Sequence, residues 1–326
     1  MEAMRLSRND YGFVRVAAVV PRVYPASPDR NIAEMIPFVR EAAEKQTHII
    51  AFPELGITGY TCQDLFHQFD LIYAARQALI EFVNAAHGFD VISIVGLPYL
   101  VDDNLFNAAA VCHRGRILGI AVKTYIPNYN EFYELRWFAP ASRLRTKELF
   151  LCEETVPIGN DLVFNAGASA PHLAFDVEIC EDGWVPISPG TLHALAGSKI
   201  TFNLSASNET IGKTDFRTDT LARSRSALNI SGYVYVSSTS SGSDGSGESA
   251  SDLVFGGHAA IAENGQLLGE SERFSDKPQL LAADIDIEAL MRDRMHMNSF
   301  GQCAELTMPQ ARYVPFQLPW LDAKYE

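Results

Sequence analysis

Three chemically reactive residues of the sequence stand at, or just beyond, the end of a short apolar run. The runs are HIIAFPE, ILGIAVK and LAFDVEIC, and their last residues are Glu54, Lys123 and Cys180. Such runs are typical of buried β-strands, and open sheets place functional side chains where their strands end. Brought together, the three side chains could supply a base, a cation and a nucleophile.

Each of these residues also has an ordinary structural interpretation. Glu54 is either a general base or a solvated loop glutamate whose backbone is fixed by the flanking proline and glycine. Lys123 is either a fixed cation beside a developing oxyanion or a strand end in water. Cys180 is either inert packing or a nucleophile presented by a turn, with backbone N–H groups around Glu181 available as an oxyanion hole.

The other cysteines and the histidines do not indicate a second reactive site. The sequence has no C-x-x-C pair and no H-E-x-x-H spacing, so we predict neither a disulfide framework nor a metal site. His172 and His193 are interpreted as surface or packing residues, so the base that serves Cys180 is expected to be a carboxylate. The cysteines interpreted as structural are Cys62, Cys112, Cys152 and Cys303.

The elements that must position these residues follow one order twice: strand, helix, strand, helix, strand, hairpin. This order predicts an α/β domain with two sheets in the middle and helices on both outer faces. The predicted strands are 13–20, 48–52, 91–97, 107–112, 117–123, 172–180, 200–204, 233–237, 254–262 and 266–270. The predicted helices are 31–45, 71–86, 189–196 and 219–229.

Composition and charge exclude several classes of protein. The 326 residues are 47% hydrophobic, which allows a large core, and no stretch reaches the roughly 20 apolar residues of a spanning helix. The formal net charge is −14, which disfavours nucleic acid as a partner. The first residues have no apolar signal-peptide core, so we expect a cytoplasmic protein that binds neither nucleic acid nor membrane.

One low-complexity segment, 237–251, is rich in serine and glycine. It loosely resembles the pyrophosphate loop of ATP pyrophosphatases, but that loop should lead directly into an amphipathic helix, and here a strand follows. We therefore reject nucleotide binding and expect a mobile surface loop.

Three motifs around the reactive residues resemble those of the nitrilase, or carbon–nitrogen hydrolase, superfamily. They are F-P-E-L-x-x-x-G-Y, K-x-Y-x-P-x-Y-x-E-F-Y-E and E-I-C-E-D-x-W-x-P, in that order along the chain. Within the superfamily, segments 130–134, 203–207 and 263–274 are most similar to the glutaminase domains of the glutamine-dependent NAD synthetase family. The resemblance spans about residues 13–290 and implies a four-layer α-β-β-α sandwich with two pseudo-symmetric halves.

The resemblance implies catalytic roles for four residues. Glu54 would take the thiol proton of Cys180, and the sulfur would attack the side-chain amide carbon of glutamine. Lys123, together with backbone N–H groups, would stabilise the oxyanion, and Glu134 would orient Lys123. Ammonia would leave, and water would hydrolyse the thioester to release glutamate.

The same resemblance implies a substrate-binding set. Tyr129, Ser207 and Lys213 match positions that hold the amino-acid head group, and Glu181 beside the nucleophile is assigned to substrate as well. Lys213 stands where some relatives carry arginine, so it supplies a cation without a bidentate fork. Tyr60 either lines the pocket or is a packing aromatic.

The resemblance also implies that this chain hydrolyses the amide while a separate synthetase domain uses the ammonia. We expect residues 1–290 to form the hydrolase domain and 291–326 an extension towards a synthetase domain absent from this chain. ATP and deamido-NAD are expected only on that domain, so no cofactor is assigned to this chain, and a homo-oligomer is expected. Two alternatives remain open: an amidase for another small amide, and a weakly active regulatory subunit that needs a synthetase partner.

Overall fold

The computed structural model describes residues 12–167, 170, 172–239, 246–248 and 252–318. Two β-sheets lie face to face in these residues, with helices on their outer faces. This is the predicted α/β arrangement of four layers and two halves. None of the described helices is both long enough and apolar enough to cross a bilayer.

The first sheet has eight strands in the order β14-β1-β2-β3-β4-β5-β7-β6. Its strands are β1 (Phe13–Val20), β2 (Ile49–Ala51), β3 (Ile92–Val101), β4 (Asn104–His113), β5 (Arg116–Val122), β6 (Glu148–Leu151), β7 (Glu154–Gly159) and β14 (Gln279–Asp286). β2 pairs parallel with both β1 and β3, whereas β3, β4 and β5 form an antiparallel meander. The carboxyl ends of β2 and β5 therefore lie at the same edge of the sheet.

The second sheet has seven strands in the order β13-β12-β11-β10-β9-β8-β15. Its strands are β8 (Leu162–Asn165), β9 (Ala174–Ile179), β10 (Ile200–Ser205), β11 (Gly232–Ser237), β12 (Ala259–Glu263), β13 (Gln266–Glu270) and β15 (Arg312–Pro315). The three central strands β9, β10 and β11 are parallel, so their carboxyl ends also share one edge.

Seven α-helices are present among the described residues. They are α1 (Pro28–Glu44), α2 (Phe69–Ala86), α3 (Pro189–Leu195), α4 (Lys213–Phe216), α5 (Ser224–Asn229), α6 (Ile287–His296) and α7 (Asn298–Thr307). A π-helical segment, Arg217–Arg223, joins α4 to α5, so the helix predicted over 219–229 is the end of a longer, irregular one. In α3, the Ser188 hydroxyl accepts a hydrogen bond from the Thr191 N–H and so caps the helix at its N-terminus.

Two large apolar clusters hold the layers together. The cluster between the sheets includes Val16, Ile94 and Phe202, and the cluster under α1 and α2 includes Met35 and Phe82; all five are fully buried. Strands buried on both faces explain why the sequence shows continuous apolar runs instead of alternation.

The expectation of a surface loop over 237–251 is wrong for the described part of that segment. Ser237, Ser238, Ser246 and Glu248 are buried. Ser237 ends β11, and residues 247 and 248 pack against the segment after β1 and the turn that follows β2. The Gly247 N–H donates to the Val23 carbonyl, and the Glu248 carboxylate accepts from a backbone N–H of that turn. Residues 240–245 and 249–251 lie outside the described residues, so mobility there stays a prediction.

Candidate active site

Glu54 lies in a tight turn directly after β2, fully buried. The next residue, Leu55, has φ +51°, and its N–H lies 2.4 Å from where a Cβ on Gly96 of β3 would stand. Glycine at position 96 is therefore what lets this turn approach the neighbouring strand. The carboxylate accepts hydrogen bonds from Asn107 Nδ2 at 2.6 Å and from the Ala206 backbone N–H at 2.7 Å.

Lys123 follows β5 and joins two buried carboxylates. Its Nζ lies 2.6 Å from Glu54 Oε1 and 2.9 Å from each carboxylate oxygen of Glu134. The Tyr60 hydroxyl also donates to Glu134 Oε1, at 2.8 Å. All four side chains are buried, so the ion pairs act with little screening by solvent.

Cys180 is the first residue of the 3-10 turn Cys180–Gly183, directly after β9. Its φ of +46° is unusual for a residue other than glycine, and such strain is typical of functional positions. The Ala206 N–H donates to Glu54 and also lowers the pKa of Cys180. The thiol and the carboxylate are therefore both influenced by one backbone N–H at the end of β10.

Asp182 fixes this turn to the loop that follows Lys123. Its carboxylate accepts hydrogen bonds from the backbone N–H groups of Thr124 at 3.0 Å, Tyr125 at 2.8 Å and Ile179 at 3.1 Å. One buried side chain thus holds the turn that carries Cys180, after the second sheet, against the loop that follows Lys123 of the first. Its pKa is raised by burial to about 7, although these hydrogen bonds act in the opposite direction.

The electrostatics of the cluster suit a base and a neutral thiol. Burial raises the pKa of Glu54 to about 6, with Lys123 opposing the shift and Glu134 adding to it. Burial would lower the pKa of Lys123, but the two carboxylates outweigh it, so the pKa lies well above its ordinary value. Burial and the Glu54 charge raise the pKa of Cys180, while Lys123 lowers it. At neutral pH the site therefore holds a thiol, an ammonium and ionised Glu54.

An open cavity of about 540 Å³ leads to Cys180. Four predicted substrate residues line it: Tyr129, Glu181, Ser207 and Lys213. The Tyr129 hydroxyl donates to Glu181 at 2.9 Å, and Lys213 donates to Asn208 Oδ1. The cavity wall thus carries a carboxylate and an ammonium, the complement of a zwitterionic head group.

Tyr60 occupies a different position from the cavity-lining residues. It is buried, its hydroxyl contacts Glu134, and its N–H donates to Glu248 Oε2 at 2.5 Å. Burial raises the pKa of Glu248 to about 8, since few groups compensate its charge. The structure thus connects the serine-rich segment to Lys123 through Tyr60 and Glu134.

Several residues of the site were not found from the sequence. They are Asn107, Asp182, Ala206 and Glu248. Asp182 lies two residues after the cysteine in the motif E-I-C-E-D-x-W-x-P, and that position is the sequence signal through which Asp182 could have been found. No group of three or more His, Cys, Asp or Glu side chains among the described residues is arranged to hold a metal ion.

Comparison with known proteins identifies the family. The family model described as carbon-nitrogen hydrolase matches residues 15–294. The glutamine-dependent NAD(+) synthetase of Mycobacterium tuberculosis is 38% identical over 294 residues, which are 90% of this chain and 42% of that protein. The human enzyme of the same name is 28% identical over 309 residues, 92% of this chain and 42% of that protein. The chain thus spans less than half the length of these relatives.

Solved structures agree with this assignment. A glutamine-dependent NAD(+) synthetase from Cytophaga hutchinsonii has a TM-score of 0.73 at 26% identity, covering 84% of this chain and 43% of that one. An amidase from Nesterenkonia sp. shares the fold, with a TM-score of 0.64 at 18% identity over 92% of this chain and all of that one. The chain belongs to the carbon–nitrogen hydrolase family of enzymes, with the fold that these structures share.

Proposed function

We propose that this protein hydrolyses the side-chain amide of L-glutamine through a thioester on Cys180. The proposal is supported by the buried Glu54–Lys123 pair, whose charges both act on Cys180, and by the position of Cys180 in a cavity whose wall holds opposite charges. Glutamine is favoured over other amides by the relatives, whose names state a dependence on glutamine.

In the first half-reaction the Cys180 sulfur attacks the amide carbon and its proton passes to Glu54. The carbonyl oxygen becomes an oxyanion, which Lys123 Nζ and the backbone N–H of Glu181 stabilise. Glu54 then returns the proton to the leaving nitrogen, so that ammonia departs and an acyl–sulfur bond remains. A base with a pKa of about 6 suits both directions of this transfer near neutral pH.

In the second half-reaction water replaces ammonia in the same geometry. Glu54 takes a proton from the water, the hydroxyl attacks the thioester carbon, and the oxyanion again faces Lys123. Collapse breaks the carbon–sulfur bond, the thiolate recovers the proton from Glu54, and glutamate leaves. Both carboxylate oxygens of Glu134 accept hydrogen bonds from Lys123 and hold it in place throughout.

Recognition of the head group follows from the charges along the cavity. Glu181, with the Tyr129 hydroxyl, is suited to the α-ammonium, and Lys213 to the α-carboxylate. Burial lowers the pKa of Lys213, with nearby Arg217 also lowering it and Cys180 and Glu131 opposing the shift. A bound carboxylate would restore that pKa and so couples substrate binding to the charge of this lysine.

The ammonia is proposed to pass to a synthetase partner or domain that uses ATP and deamido-NAD. Support comes from the relatives, which are more than twice as long as the matched region and are named as synthetases. On this proposal residues 1–290 form the hydrolase unit and residues 291–326 extend towards the partner.

A second candidate function is hydrolysis of another small amide. The observation that favours it is the wide cavity, in which the only cation assigned to the carboxylate, Lys213, is already hydrogen-bonded to Asn208. A lysine held in this way offers a weaker carboxylate contact than a bidentate arginine.

Rates of ammonia release from L-glutamine, L-asparagine and butyramide test both candidates. We expect glutamine to have the highest kcat/KM and Cys180→Ala to abolish its turnover while thermal stability is kept. Trapping the acyl-enzyme by acid quench and intact mass spectrometry should add a glutamyl mass to the wild type only. Equal kcat/KM values for the three amides would favour the second candidate, and full activity of Cys180→Ala would refute the mechanism.

A further inference from the structure

Arg217 is fully buried just behind the cavity, at the start of the π-helical segment. Its Nη2 lies 3.3 Å from Ser207 Oγ and 3.2 Å from the Asn208 carbonyl oxygen. Ser207 lines the cavity, whereas Arg217 is outside its lining. Arg217 can therefore influence a substrate only through the residues it holds.

The guanidinium is fixed by a second set of buried partners. Its Nη1 donates to Glu209 Oε1 at 2.8 Å and to His258 Nδ1 at 2.9 Å. A guanidinium can only donate, so His258 Nδ1 is the acceptor and its Nε2 carries the proton that reaches Glu270 Oε1 at 2.7 Å. The ring is thereby locked as one neutral tautomer.

Glycine at position 256 makes this arrangement possible. A Cβ on Gly256 would lie 2.4 Å from Glu209 Oε1, the oxygen that accepts from Arg217. The carboxylate, the guanidinium and the imidazole thus form a packed unit that has one hydrogen-bonding pattern and little room to move.

Because a guanidinium only donates hydrogen bonds, Arg217 also restricts the direction of the Ser207 hydroxyl proton. Arg217 Nη2 donates to Ser207 Oγ, so one lone pair of that oxygen is occupied and its own proton must point elsewhere. The Ser207 N–H is used by Ser237 Oγ at 3.0 Å, which holds the backbone. Because Ser207 lines the cavity, its hydroxyl proton is available there as a donor to a bound molecule.

We propose that Arg217 is a positioning residue that turns the Ser207 hydroxyl into a fixed hydrogen-bond donor for the substrate carboxylate. It thereby makes the enzyme selective for amides that carry an α-carboxylate. This inference rests on the proposed glutaminase function and adds to it the origin of the head-group specificity. Lys213 supplies the charge, and the Arg217–Ser207 pair supplies the directional contact.

Two substrates separate this role from a general structural one. Glutaramate keeps the carboxylate of glutamine and lacks the amine, whereas butyramide lacks both. We expect Arg217→Lys to lower kcat/KM for glutaramate by about 10- to 100-fold, chiefly through KM, because a charge-assisted contact is lost. The value for butyramide should change by less than about threefold. Arg223→Lys, an exposed arginine on the same segment, is the matched control and should leave both values unchanged.

A double variant tests whether the effect passes through Ser207. Ser207→Ala should reduce the glutaramate-to-butyramide ratio of kcat/KM as much as Arg217→Lys does, and combining them should reduce it no further. Multiplied losses in the double variant, or equal losses for both substrates, would overturn the inference. If Arg217→Lys does not fold, Ser207→Ala tests the inference by itself: an unchanged glutaramate-to-butyramide ratio of kcat/KM in that variant overturns it. Failure of the proposed function is distinct, because it would show in the wild type as no preference for glutamine.

Discussion

The role of Glu54 can be tested by replacing its carboxylate with an amide. In the wild type, Asn107 Nδ2, Lys123 Nζ and the Ala206 N–H donate to the two carboxylate oxygens of Glu54. In Glu54→Gln, a single amide oxygen would have to accept from all three donors. The variant loses the base, loses at least one buried hydrogen bond, and leaves Lys123 with Glu134 as its remaining anion.

The expected loss follows from these contacts. General-base catalysis contributes about 10²- to 10⁴-fold, so kcat/KM for glutamine should fall by at least about 10²-fold. Because burial raises the pKa of Glu54 to about 6, wild-type kcat/KM should fall tenfold per pH unit below that value, as the base becomes protonated. The residual activity of Glu54→Gln should lack this acidic limb.

The assay is ammonia release between pH 4.5 and 9, with unfolding followed by circular dichroism to confirm that each variant is folded. Glu148→Gln, which changes an exposed glutamate on β6, is the matched control and should match the wild type at every pH. If Glu54→Gln keeps more than a tenth of the wild-type kcat/KM, or retains the acidic limb, another group is the base.

Three further predictions follow from the contacts around the site. Asp182→Asn places an amide NH2 group, which can only donate, against a backbone N–H donor. We therefore expect a loss of about 1–3 kcal/mol in the free energy of unfolding and at least a tenfold loss in kcat; unchanged values would show that other contacts hold the turn. Burial raises the pKa of Glu248 from an ordinary 4.5 to about 8 in the folded protein. Between pH 4.5 and pH 8 the folded protein therefore binds a proton that the unfolded chain does not, and the free energy of unfolding falls as the pH rises through this range. Glu248→Gln should therefore gain stability relative to the wild type between pH 5 and pH 8.5 in urea titrations, and an equal difference at both pH values would contradict this. Gly96→Ala should displace the turn that carries Glu54 and lower kcat at least tenfold, whereas Gly88→Ala, with open space around it, should not.

The positions of the candidate residues could be predicted because each one follows an apolar run at the edge of a sheet. Lys123 and Cys180 come directly after strands, and Glu54 comes three residues after the end of β2; their catalytic roles stay predictions. The change from an apolar run to a polar residue is visible in the local sequence, because both the buried strand and its end are determined by neighbouring residues.

The supporting contacts could not be predicted in this way. The Ala206 N–H reaches Glu54 across 152 residues of sequence, and Asn107 reaches it across 53 residues. Such hydrogen bonds depend on how the two sheets pack, and neither an alanine N–H nor a strand asparagine carries a local signal for its partner.

Edge strands were missed for a related reason. β14 is only partly buried, with a single fully buried residue, so its sequence lacks the continuous apolar run of a central strand. It forms because eight residues pair antiparallel with β1. β15 is four residues long and ends in proline, and it gains its stability from pairing with β8.

The two-sheet architecture matters chemically because the site takes its parts from both sheets. Glu54 and Lys123 follow strands of the first sheet, whereas Cys180 and Ala206 follow strands of the second. The Asp182 carboxylate, which accepts from the loop after Lys123, and the Ala206 N–H, which donates to Glu54, join the two sheets at this edge. A shift of about 1 Å between the sheets would leave each half folded and yet separate the thiol from its base, at a cost of about 10²-fold in rate. On the proposed mechanism, packing between the sheets therefore affects the rate directly, and the buried hydrogen bonds of Asp182 and Ala206 across this edge serve to keep that packing fixed.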